Sequence, residues 1–146
     1  MLKEVTQMDK IIIASMRENA GKTSLIVGIS KALGKKIGYM KPLGDRLLYR
    51  KKQLWDYDSA VVTSTFEIKE DPMDMSLGFD HAKLRYMYDE ERTKAKLLEA
   101  VEQIRKDKDL LWIEASKDIT TGTSVSLDAI SLAKFTGGKL IIYKWR

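Results

Sequence analysis

An unbroken apolar run, Ile11 to Ser15, passes through Met16-Arg17-Glu18-Asn19-Ala20 into Gly21-Lys22-Thr23-Ser24, where a helix-spaced stretch begins at once. A short buried strand, a tight loop and an amphipathic helix in that order leave few folds open. A continuous apolar run of this length is the mark of a parallel strand covered on both faces. In that setting Gly-Lys-Thr has a chemical meaning. The unpaired first-turn N–H groups of a helix converge on one point and favour an anion there. Gly21 lets the backbone approach that anion, Lys22 brings a point charge to terminal phosphates, and the Thr23 hydroxyl is a hard-oxygen ligand for Mg²⁺. The strict pattern has a glycine where this chain has Met16. Asn19, Ala20, Gly21, Lys22, Thr23 and Ser24 form the candidate nucleotide-binding loop.

The apolar positions Leu25, Ile26, Ile29, Ala32 and Leu33 predict one helix face, and Gly34 its stop. Ile37 to Met40 reads as a second strand, parallel to the first across a helical crossover. Lys41-Pro42-Leu43-Gly44 leaves the carboxyl end of that strand. Ligands in open α/β sheets bind at carboxyl ends, so Lys41 is expected in the same crevice as Lys22. Asp45 to Lys52 is basic with aromatic neighbours, Tyr49 and then Trp55. An exposed loop or hairpin is favoured there over a nucleic-acid surface.

Asp56-Tyr57-Asp58 heads a short helix over 59–66, where an acid caps the helix or holds Mg²⁺. The stretch from Glu67 to Met87 is the least legible: Asp71-Pro72 marks a turn, and Met73, Met75, Leu77 and Phe79 are apolar cover or a partner surface. The lone His81 receives no role. Asp89 is expected to cap a long helix carrying Leu97, Leu98, Val101 and Ile104, with Arg105, Lys106 and Lys108 at its end. Asp109 to Glu114 reads as a third buried strand ending in an acid, a place where a carboxylate can meet Mg²⁺. Ala115 to Ser124 is expected to be a mobile polar loop over the site. A last helix, capped by Ser124 or Ser126 and stopped at Gly137-Gly138, precedes a fourth strand at Leu140 to Tyr143.

At 146 residues, 44% apolar and 32% charged, the chain is expected to form a single domain over 1–146 with a real core. A transmembrane helix is not expected, and Met1 to Lys10 lacks the apolar core of a signal peptide. The absence of cysteine removes disulfides and thiolate metal sites, and fits a cytoplasmic location. The net charge of +5 favours phosphates without calling for nucleic acid.

Taken together, Ala-Gly-Lys-Thr-Ser (Ala20 to Ser24), Gly-Tyr-Met-Lys-Pro-Leu-Gly (Gly38 to Gly44), Asp58 followed by Ser-Ala, and Leu-Trp-Ile-Glu-Ala (Leu111 to Ala115) resemble the dethiobiotin synthetase-like branch of P-loop NTPases. The resemblance is closest to the domain of that type at the N-terminus of some phosphotransacetylases. It implies an α/β fold, a three-layer open parallel sheet with helices on both faces, in a short or truncated version. It also implies ATP or GTP with Mg²⁺ as cofactors, Lys22 and Lys41 as catalytic residues, and Thr23, Asp58 and Glu114 around the metal. That branch tolerates the missing first glycine.

Two departures bear on activity. Ala115-Ser116-Lys117-Asp118 stands where dethiobiotin synthetases have glycines, which argues against the biotin-pathway reaction. That family reads the base with a later strand and loop that lie beyond this sequence, so either the chain is an abbreviated version or fragment, or base recognition comes from elsewhere, such as the other half of a homodimer. Three functions follow in order of preference: a regulatory or partner-coupled nucleotide-binding module; an ATP-dependent ligase activating a small carboxylate or carbamate, with a small carboxylate or amine substrate; and, last, a basic nucleic-acid-binding protein.

Overall fold

The structure, a computed structural model, describes residues 9–144. Most of the charged N-terminal stretch and the final Trp-Arg lie outside the described residues.

Four strands, β1 (Asp9–Ser15), β2 (Ile37–Met40), β5 (Leu110–Glu114) and β6 (Lys139–Tyr143), form one parallel sheet in the order β2-β5-β1-β6. The first two strands are therefore not neighbours. Each pairs with β5, with Ile13 opposite Glu114 and Tyr39 opposite Trp112. All of β2 and β5 is buried, as is β1 from Ile12 onward, because helices cover both faces. α1 (Lys22–Leu33) packs on β1, β5 and α2 (Tyr57–Phe66) on one side, while α4 (Glu90–Ile104) and α5 (Ala129–Thr136) lie together on the other. The expected three-layer α/β architecture is the observed one. No helix among the described residues is long and apolar enough to cross a membrane.

Trp112, Tyr39, Ile12, Ile13 and Ile26 are among the largest side chains with essentially no exposed surface. Each such aliphatic side chain contributes roughly 1.5–3 kcal/mol by leaving water. The buried face of α1 differs from its apolar stripe. It runs Lys22-Ile26-Ser30, whereas Ala32 and Leu33 are exposed. Two polar residues can occupy that face because each has a partner: Lys22 donates to Ser15, and the Trp112 indole donates to Ser30 Oγ at 2.9 Å.

The basic aromatic stretch forms a hairpin, β3 (Leu47–Arg50) against β4 (Gln53–Asp56), outside the main sheet. Its turn residues Lys51 and Lys52 both have positive φ, 47° and 61°. Asp56 ends the hairpin and caps α2, accepting from the Asp58 amide at 2.8 Å. The helix thus begins two residues before the expected Ser59. The illegible middle holds a 3-10 turn over Pro72–Met75 and a short helix, α3 (His81–Met87), capped by Asp80. Met75 is fully buried, whereas Met73 is exposed. His81 is exposed at the start of α3.

One expectation fails near the C-terminal end of the described chain. α5 starts later than expected and its cap is Asp128, whose carboxylate accepts from the Ser131 amide and hydroxyl. Ser124 lies in a 3-10 turn and Ser126 is its left-handed end, so neither can cap α5. The segment after β5 carries its own hydrogen bonds. The Asp118 carboxylate accepts from the amides and hydroxyls of Thr120 and Thr121 at 2.9–3.0 Å, and the Ile119 amide donates to the Ser15 carbonyl at 2.9 Å.

Candidate functional site

Because every strand of the main sheet points the same way, the ends of β1, β2 and β5 deliver Ser15, Lys41 and Glu114 to one edge. A cleft of about 390 Å³ opens there, walled by Asn19 to Ser24, Lys41, Asp45, Asp58 and Glu114. All the residues expected in the nucleotide and metal sites line it. The loop leading to α1 uses two left-handed residues, Asn19 (φ 56°) and Gly21 (φ 96°). Asparagine tolerates that conformation and glycine adopts it freely. No atom lies within 4 Å of where a Gly21 side chain would begin, so the loop keeps an open concave side at the helix start.

Lys22 is buried. Its ammonium donates to Ser15 Oγ at 3.0 Å and to the Lys117 carbonyl at 3.3 Å. Burial lowers its pKa below the ordinary 10.5; the Glu114 carboxylate opposes this and the Lys41 charge adds to it. Thr23 donates its hydroxyl hydrogen to Glu114, with Oγ1 2.8 Å from Oε1. The buried Tyr39 hydroxyl donates to Oε2 of the same carboxylate. Burial pushes the Glu114 pKa up to about 7 against the pull of Lys41, while the Asp58 charge raises it further. Burial likewise raises the Tyr39 phenol well above its usual range.

On the β2 side, Lys41 sits among three acids. Its ammonium is 2.7 Å from Asp45 Oδ1, 2.7 Å from Asp58 Oδ2 and 3.5 Å from Asp56 Oδ1. Burial alone would lower its pKa, but Glu114 and Asp56, with the hydrogen bonds to Asp45 and Asp58, outweigh it and hold the pKa above its ordinary value. Asp45, Asp56 and Asp58 each offer an oxygen within 4.8 Å of the others. Asp56 also accepts from the Asp45 and Arg46 amides at 2.9 and 3.2 Å. Arg46 reaches Asp58 at 3.6 Å and stacks over the Tyr57 ring at 4.5 Å from its centroid.

Sequence reasoning missed Asp45, and for Asp56 it reached the helix cap but not the hold on the Asp45 and Arg46 amides. Asp45 reads as the start of a basic stretch, and only its spacing four residues after Lys41 signals the contact. Asp58 and Glu114 are brought to one cleft but do different things. Glu114 holds Thr23, whereas Asp58 holds Lys41.

The donor set suits a magnesium–nucleotide complex in kind. Mg²⁺ takes hard oxygen ligands, and a hydroxyl and a carboxylate already meet at the first turn of α1. The open loop at Gly21 and the buried ammonium of Lys22 suit a polyphosphate. The family model AAA_26, described as an AAA domain, matches residues 9–142, which takes in the loop, the cleft and all of the sheet except Tyr143 at the end of β6. With its phosphate-type loop between β1 and α1 and its parallel sheet, the chain belongs to this dethiobiotin synthetase-like family of P-loop NTPases, for which nucleotide binding is implied.

Proposed function

We propose that the chain binds a nucleoside triphosphate, ATP or GTP, with Mg²⁺ in the cleft at the carboxyl ends of β1 and β5, and acts as a regulatory or partner-coupled module. In this reading Asn19 to Ser24 wrap the phosphates, Lys22 meets their terminal charge, and Thr23, Glu114 and Asp58 hold the metal. Bound Mg²⁺ would neutralise phosphate charge. The observation that carries the reading is the Thr23–Glu114 hydrogen bond, because it joins the hydroxyl after the loop lysine to the acid at the tip of the neighbouring strand.

The run Ala115-Ser116-Lys117-Asp118, bulky and charged where dethiobiotin synthetases have glycines beside their substrate, supports a binding module over a ligase. Calorimetric titration with ATP and with GTP, each with and without Mg²⁺, tests the proposal. The expected result is Mg²⁺-dependent binding without phosphate release on adding small carboxylates or amines. Absence of binding to both nucleotides would overturn the reading, and carboxylate-stimulated phosphate release would move it to the ligase.

A further inference from the structure

Resting on that reading, we infer that the nucleobase lies against the ring of Tyr143 at the end of β6. The cleft has a direction. Thr23 faces Glu114 on β5, and Lys41 lies beyond it at the end of β2, so the terminal phosphate and metal belong on the β5 side of β1. A triphosphate held that way must send its nucleoside to the opposite side of β1, where β6 pairs with it and Tyr143 stands opposite Ser15.

A second hollow, of about 440 Å³, opens on that side. It is lined by Asn19, Ala20, Gly21, Ser24, Leu25 and Tyr143. Asn19, Ala20, Gly21 and Ser24 also wall the phosphate cleft, so the two spaces share the loop between them. Tyr143 and Leu25, each partly buried, are the two large apolar residues of its lining. The Tyr143 carbonyl accepts from the Met16 amide at 3.4 Å, which ties the strand end to the start of the loop. An aromatic face beside a phosphate-binding loop is what a flat heterocycle stacks on, and stacking is tolerant of base identity.

The test compares ATP, GTP and inorganic tripolyphosphate, each with Mg²⁺, on the wild type, Tyr143→Ala and Tyr143→Phe by calorimetry. Tyr143→Ala should lose about ten-fold in affinity for both nucleotides and none for tripolyphosphate. Tyr143→Phe, which keeps the ring, should bind all three as the wild type does. Full nucleotide affinity in the alanine variant, an equal loss for tripolyphosphate, or a loss in the phenylalanine variant would each overturn the inference. So would a wild type that binds tripolyphosphate as tightly as ATP. A wild type that binds none of the three would overturn the phosphate-loop reading itself, and this inference with it.

Discussion

Thr23 and Glu114 stand 91 positions apart in the chain, yet the threonine hydroxyl donates to the carboxylate at 2.8 Å. The contact fastens the first turn of α1 to the tip of β5, while Tyr39 holds the other carboxylate oxygen from β2. Three elements are thereby tied to one buried acid, and a cation arriving there would be felt by all of them.

Lys22→Ala is expected to weaken triphosphate binding by about 100-fold, roughly 2.7 kcal/mol, the size of losing charge-assisted hydrogen bonds to phosphate. Calorimetry with Mg²⁺-ATP reads it directly. Affinity equal to wild type would contradict the assignment of the loop.

Glu114→Gln should keep the fold and lose most of the Mg²⁺ dependence. It should also change the pH response in a defined direction. A carboxyl whose pKa rises from 4.5 to about 7 on folding is protonated more in the folded state between those values. Stability of the wild type therefore falls as pH climbs from about 4.5 to about 7 and is level above that, by up to about 3 kcal/mol from this group. Urea denaturation at pH 5 and pH 8 without Mg²⁺ should show the slope in the wild type and its loss in the glutamine variant. Mg²⁺ affinity should move the other way, rising through pH 7 as the carboxylate ionises.

Asp56→Ala removes the cap of α2 and the acceptor of two further amides, those of Asp45 and Arg46. The expected cost is about 2–4 kcal/mol, from a lost cap and unsatisfied N–H groups. Chemical denaturation gives the number. An unchanged midpoint would mean that the loop finds other acceptors.

Lys41→Met keeps much of the side chain's bulk and removes its charge, leaving Asp45, Asp56 and Asp58 facing one another. Destabilisation of about 3–5 kcal/mol at neutral pH is expected, as for breaking a buried ion pair. Loss of less than about 1 kcal/mol would show that the ammonium does not hold the cluster together.

The sheet and the phosphate-type loop were legible because strands buried on both faces read as apolar runs, and because Gly-Lys-Thr followed one of them. Glu114 was legible as an acid ending such a run. The hairpin turn was not, since Lys51-Lys52 carries none of the Asn or Gly that usually marks two left-handed residues. The buried face of α1 was misjudged for a related reason. Lys22 and Ser30 count as surface residues until their partners, Ser15 and Trp112, are known. Asp45 escaped because a carboxylate in a loop announces nothing until the cation it neutralises is seen beside it.

The strand order has a consequence for how the molecule comes into being. β1 and β2 both dock on β5 and are not hydrogen-bonded to each other. Synthesis delivers the phosphate-type loop and Lys41 early, but the scaffold that aligns them arrives only with Leu110 to Glu114. Non-local pairing of this kind slows folding and leaves apolar strand edges bare in the interval. Ribosome-bound chains that stop short of Glu114 should therefore be readily digested by protease, with protection appearing as a step once that strand has emerged.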